Sequence, residues 1–252
     1  MELVKVEGIV VKETPYKDSS KILQILTKEY GLISVIAKGC RSIKSKFRTS
    51  TTKLSLATFH INYKEEGLST LRDVDNNIFL LNIFKSIEYI TYASYLVELA
   101  TQIIKENNTQ EVFTLLKTGL IKINDGLDPS LITSIIELKY LSLLGVSPNI
   151  NACSICGNKT SIETISVDNG GLLCTSCKSD EKLYKKRTVE LIRMFILVDL
   201  TKVTKLNITS ESKKEIEEFI ELYYDKYTGL YLNSKKLIKN LKKVGKVVWK
   251  KY

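Results

Sequence analysis

Apolar positions recur with a period of two through the first eighty residues, and with helical spacing through most of the remainder. Val4-Lys-Val-Glu-Gly-Ile-Val-Val-Lys12 is rich in β-branched residues, which favour strands. A turn is expected at Thr14-Pro-Tyr-Lys-Asp18, then strands at Lys21–Thr27 and Leu32–Ala37 joined at Glu29-Tyr-Gly31. Ala57-Thr-Phe-His-Ile-Asn-Tyr63 alternates strictly, with His60, the chain's one histidine, on the polar side as a solvated residue. Glu65-Glu-Gly67 turns the chain into Leu68–Val74. Five short antiparallel strands in about seventy residues predict a small closed barrel of the OB type, with an SH3-like barrel as runner-up.

The pattern then changes period. Ile83, Ile87, Ile90, Leu96, Val97 and Ile104 predict one helix from Asn82 to Ile104, and Glu111 to Ile123 a second. Asp128-Pro129 reads as a helix start, cap followed by proline in the first turn, and Gly145 with Pro148 as its end. That helix carries apolar residues on more than one side. Further helices are expected at Arg187–Leu200, Lys213–Tyr227 and from Ser234 onward. In the last, Leu237, Leu241, Val244 and Val248 share one face and leave the lysines to water. The fold class is therefore α+β, with a barrel domain over residues 1–80 and a mostly helical domain over 81–252.

One stretch interrupts the helices: Cys153-Ser-Ile-Cys156, seventeen residues, then Cys174-Thr-Ser-Cys177. Two Cys-x-x-Cys knuckles at this spacing match a four-cysteine zinc site. Between them, Glu163–Val167, a turn at Asp168-Asn-Gly-Gly171 and Leu172-Leu173 predict a hairpin, because such a turn accepts positive φ. The segment at about 150–180 is thus expected to be a zinc ribbon binding one structural Zn2+. A lone knuckle can be a redox pair, but two together favour metal. Four thiolates fill a tetrahedral zinc and leave no position for activating water.

Composition narrows the setting. Hydrophobic residues make up 44% of 252, enough for genuine cores. Four thiols committed to metal, no apolar signal core and no run of ~20 uncharged apolar residues predict a soluble cytoplasmic protein without membrane association. The net charge of +10 is uneven: 13 basic against 9 acidic residues over 1–80, 7 against 11 over 81–181, and 18 against 8 over 182–252. Two separated basic regions suggest a polyanion, most simply nucleic acid.

The first basic region has a focus. Ala37-Lys-Gly-Cys-Arg-Ser-Ile-Lys-Ser-Lys-Phe-Arg48 holds Lys38, Arg41, Lys44, Lys46 and Arg48 with no acid among them. A basic loop beside a barrel suits a phosphate backbone, and with Lys21 on the second strand these residues form the candidate DNA-binding set. Tyr16 and Phe47 can stack on bases, and Phe47 can equally plug the core. In the last helix, Lys235, Lys236, Lys239 and Lys243 form either a solvated face or a second surface for DNA or an acidic partner.

Glu7-Gly-Ile-Val-Val-Lys12, Ser20-Lys-Ile-Leu, Leu26-Thr-Lys-Glu-Tyr-Gly31, Ala37-Lys-Gly-Cys-Arg41 and Leu71-Arg72 together resemble the N-terminal OB domain of the RecO family. Leu143-Leu-Gly-Val-Ser-Pro148 before the first knuckle and Gly170-Gly-Leu-Leu-Cys174 entering the second resemble its zinc-bearing members, so the likeness covers nearly the whole chain. Leu230-Tyr-Leu-Asn-Ser-Lys-Lys236 is a looser match to the stretch before the family's last helix. The resemblance implies a nucleoid-associated recombination mediator that binds single-stranded and also double-stranded DNA, anneals complementary strands and helps load RecA. Its implied partners are RecR and the acidic C-terminal tail of single-strand-binding protein.

Two other readings compete. An RNA-binding OB and zinc-ribbon protein of translation or ribosome assembly would share the same barrel and ribbon. An enzyme finds no support: there is no phosphate-cradling Gly-Lys-Ser/Thr loop, no open metal site and no Ser-His or Cys-His pairing.

Overall fold

β1 (Glu2–Tyr16) is long enough to pair with two partners, and this closes the N-terminal sheet on itself. A computed structural model of the chain describes residues 2–104, 109–178 and 183–248, with side chains through residue 241. The second half of β1 runs antiparallel to β2 (Ser20–Thr27) and its first half to β4 (Leu56–Tyr63). β2 pairs with β3 (Gly31–Ala37), β4 with β5 (Ser69–Ile78), and a short parallel contact of Val35 with Ser69 and Ile36 with Thr70 completes the barrel. The order β1-β2-β3-β5-β4 is the OB fold expected from the strand pattern.

Alternation fills the barrel interior with Val6, Val10, Leu23, Ile25, Val35, Phe59 and Ile61, all nearly or fully buried. Gly8 lets β1 cross closely, since a Cβ there would lie 2.5 Å from the Ile25 methyl. β1 continues through the first half of the turn expected at Thr14–Asp18, with Pro15 paired to Lys21 and Tyr16 to Ser20, and the turn itself begins at Lys17, at φ +50°.

The chain divides into two units, Met1–Gly126 with Leu232–Tyr252, and Leu127–Tyr231. The first holds the barrel, α1 (Leu81–Lys85), α2 (Ile87–Ile103), α3 (Thr109–Asn124) and α7 (Asn233–Val248). The single helix expected from Asn82 to Ile104 is broken at Ser86. That residue is extended at φ −129° and ψ 127°, and its side chain accepts from the Tyr89 N–H, capping α2. Apolar spacing continues across the break, so periodicity alone did not reveal it. Among the described side chains of α7, Ser234 and Ile238 are buried, whereas Leu237 is 56% exposed. Of the expected apolar face, Leu237 therefore points outward beside the buried Ile238 and Leu241 is half-buried, while the Val244 and Val248 side chains lie outside the described residues.

The second unit is built on α4 (Pro129–Leu143), whose start is capped by Asp128 accepting from the Ser130 and Leu131 N–H groups. Every α4 residue from Pro129 to Ile136 is buried, as its apolar composition predicted. Around it pack α5 (Lys186–Leu197) and α6 (Ser210–Tyr227), and α5 also touches the hairpin of β6 (Ile162–Ser166) and β7 (Gly171–Cys174). α5 ends at Leu197, short of the expected Leu200, where Asp199 caps a 3-10 turn. Among the described residues no helix is long and apolar enough to cross a membrane.

Candidate metal centre and nucleic-acid interface

The hairpin brings the two knuckles together. β6 and β7 pair from Ser166 opposite Gly171 to Ile162 opposite Cys174, so Cys174 leaves the ladder directly at the site. Asn149 bonds both ways with this hairpin, donating to the Gly170 carbonyl and accepting from Leu172, each at 2.9 Å. Ser154 N–H donates to the Leu172 carbonyl at 2.7 Å and seats the first knuckle. Its turn closes through Gly157 N–H to Cys153 carbonyl, and the second through Cys177 and Lys178 N–H groups to Cys174 carbonyl. Gly171 has no alternative here, because a Cβ would fall 2.5 Å from the Asn149 oxygen and 2.6 Å from Ser154 Oγ.

The Sγ atoms of Cys153, Cys156, Cys174 and Cys177 lie within 4.8 Å of one another. Cys156 and Cys174 stand 3.7 Å apart, and all five cysteines of the chain are unpaired thiols rather than disulfides. A tetrahedral thiolate site with metal–sulfur bonds of about 2.3 Å places its sulfurs about 3.8 Å apart, so this cluster has the dimensions to hold one metal ion. Its electrostatics ask for one. Burial opposes ionisation of Cys153, but backbone N–H groups of Cys156, Cys174 and Ile155 outweigh it and bring the thiol down to about 6. Cys177 is pushed up to about 12, first by its hydrogen bond with Cys156 and then with Cys174. One thiolate forms easily and the next resists, which a dication would relieve.

The basic segment between β3 and β4 is folded as consecutive turns rather than a floppy loop. Arg41 N–H donates to the Ser19 carbonyl at 2.8 Å, and bonds from Ser42 to Gly39, Ser45 to Ser42 and Arg48 to Ser45 follow. Lys38, Arg41, Lys44, Lys46 and Arg48 are all exposed. Lys46 is held by Asp73 at 2.9 Å, and this bond, ahead of any other influence, lowers the Asp73 carboxyl below its usual range. Phe47 is half-buried against the barrel core, with Lys46 Nζ 5.1 Å from its ring centroid. Tyr16 is 37% exposed. Lys21 differs from the loop cations: its side chain is largely buried, bonded to the Glu13 carboxylate and the Thr51 carbonyl, where it anchors the far end of the loop. His60 meets Asp75 at 2.7 Å rather than water alone.

Comparison with known proteins decides the family. A family model described as recombination protein O N terminal matches residues 1–76, and one described as recombination protein O C terminal matches residues 85–236. The chain belongs to the RecO family. It is 31% identical over 243 residues to DNA repair protein RecO of Listeria monocytogenes serotype 4b (strain CLIP80459), covering 95% of both chains. The corresponding protein of Bacillus pumilus is 32% identical over 251 residues, 98% of this chain and 97% of its own. That of Bacillus subtilis (strain 168) is 30% identical over 240 residues, 94% of each.

In this RecO-family chain, the C-terminal lysines lie on α7. Lys236 and Lys239 are exposed and Lys235 is half-buried, while the Lys243 side chain lies outside the described residues. Helical periodicity missed how α7 begins. The Glu98 carboxylate on α2 accepts from the N–H groups of Asn233 and Ser234, each at 2.9 Å, and from the Ser234 hydroxyl. A carboxylate supplied from 135 residues away leaves no local sequence signal.

Proposed function

We propose that this DNA repair protein is a non-enzymatic recombination mediator that binds single-stranded DNA, and also duplex DNA, through the β3–β4 loop. The observation that carries this reading is a cation cluster with no acid between residues 37 and 48, presented by hydrogen-bonded turns on an OB barrel. Lys38, Arg41, Lys44 and Arg48 are its phosphate contacts, Lys46 joins them when released from Asp73, and Lys21 holds the loop in place. Cations arrayed on a rigid loop screen phosphate repulsion, so two complementary strands can meet and anneal. The barrel domain of residues 1–80 does this work, and the domain of residues 81–252 carries the partner contacts.

On the same reading the protein acts in the cytoplasm on the nucleoid with RecR, docks the acidic tail of single-strand-binding protein and helps load RecA. Lys235, Lys236, Lys239 and Lys243 are the candidate surface for that tail or for DNA. The four cysteines hold one Zn2+, since soft thiolates in a closed tetrahedral set select it. The metal has no open position and serves as a staple. The test is annealing of complementary oligonucleotides with and without single-strand-binding protein, together with binding titrated against salt. Affinity falling steeply with salt and annealing of coated strands support the reading; salt-independent affinity overturns it. Competition of single-stranded DNA against RNA of equal length separates it from a ribosome-assembly role.

A further inference from the structure

At the foot of the cationic loop the first unit carries a groove of about 320 Å³. Its floor includes the buried Leu54 and Leu80, and its walls carry Phe79 and Phe84, which are 57% and 52% exposed. Ile78 and Leu81 add exposed apolar surface beside them, at 41% and 62%. The polar part of the lining is Arg48, Thr49, Thr52, Ser55 and Asn77, and none of the lining residues is acidic. Hydroxyls of Thr52 and Ser55 donate to the Thr49 carbonyl at 2.8 and 2.9 Å, so this wall is stiff.

Arg48 belongs to both features: it is the last cation of the acid-free run and a lining residue of the groove. Resting on the reading of the loop as a DNA contact, we infer that this groove is the base-binding subsite of that contact. An unpaired nucleobase stacks on Phe79 or Phe84 while Arg48 holds its phosphate. The chemistry suits this occupant on three counts. Aromatic faces beside a cation are how single strands are held without sequence readout. Asn77 offers an amide to a base edge, and the Thr52 and Ser55 oxygens, whose hydrogens go to Thr49, can still accept from one, capacity that an aliphatic occupant would leave unused. A groove with one cation fits one phosphate, whereas an acidic peptide calls for several.

The test compares a single-stranded oligonucleotide with one of equal length carrying abasic residues, which keeps every phosphate and removes bases. Wild-type protein is expected to bind the base-containing strand about tenfold more tightly. The double variant Phe79→Leu/Phe84→Leu keeps apolar bulk at two exposed positions but removes the aromatic faces. It should bind both strands alike, with the salt dependence of the wild type, and Phe84→Trp alone should retain the preference. A wild type that does not distinguish the strands, or a leucine variant that still does, overturns the subsite while leaving the electrostatic reading intact. Unchanged DNA preference with loss of RecR or single-strand-binding protein capture in the leucine variant assigns the groove to a protein and also overturns it. Loss of salt dependence in the wild type removes the underlying reading instead.

Discussion

The Glu98 carboxylate, on α2, takes both the N–H and the hydroxyl of Ser234 and thereby caps α7 from across the chain. Burial opposes the Glu98 charge, but the bonds from Ser234 and Asn233 prevail and hold its carboxyl below the ordinary range. Helix N-termini leave N–H groups unsatisfied and favour negative charge. This contact therefore binds the basic C-terminal helix to the unit containing the barrel.

Glu98→Ala should cost about 1 kcal/mol, the usual worth of a cap. Because the folded carboxyl titrates below its unfolded value, the contribution is fully present above the ordinary carboxylate range and disappears as pH falls through the lowered value. Thermal melting of wild type and Glu98→Ala at neutral pH should differ, and the difference should vanish in acid. Proteolysis near residue 232 should be faster in the variant. Equal cleavage rates would show that α7 docks without this cap.

Metal content gives a direct check on the cysteine cluster. Elemental analysis of native protein should return one zinc per chain, and Cys174→Ser should return none with loss of the local fold. A structural zinc contributes about 10–16 kcal/mol of apparent folding free energy in zinc-finger peptides, so a chelator should open the ribbon rather than leave it intact. Metal-free protein with an unchanged melt would remove the staple role.

Gly171→Ala probes the packing that seats the first knuckle. Its Cβ would collide with the Asn149 backbone and Ser154 Oγ at 2.5–2.7 Å. Pushing β7 away from the Asn149–Ser154 segment should cost about 1–3 kcal/mol and weaken metal retention. Competition with a colorimetric zinc chelator reads this out, and wild-type retention in Gly171→Ala would mean the approach can relax.

The pairing of Lys46 with Asp73 divides the loop cations. Lys44→Ala should reduce the salt dependence of single-strand binding by about 0.7 in logarithmic slope, the value for one phosphate. Lys46→Ala should change it less, because that ammonium is already engaged. Asp73→Asn should release Lys46 and tighten binding several-fold. Titration of fluorescent oligonucleotide at three salt concentrations orders the variants, and identical slopes throughout would take the loop out of the contact. Lys44→Glu combined with Lys46→Glu should weaken binding strongly.

Alternation at Ala57–Tyr63, the Asp128-Pro129 start and the spacing of four cysteines are local facts, and each led to the right element because its cause lies within a few residues. Ser86 escaped notice because apolar spacing runs unbroken through it, while the helix stops for a side-chain cap. The groove draws on residues 48–55 and 77–84, two segments that no pattern along the chain connects.

Two further matters were decided only in three dimensions. Lys21 reads in sequence as one more surface cation, yet barrel closure places it against Glu13 and Thr51. Leu237 reads as the inward residue of α7, yet Ile238 is buried, in a helix whose N-terminus is held by Glu98. Periodicity specifies how residues are spaced around an element and so determines its type. Which side turns inward depends on partners distant in sequence, and those are supplied by packing.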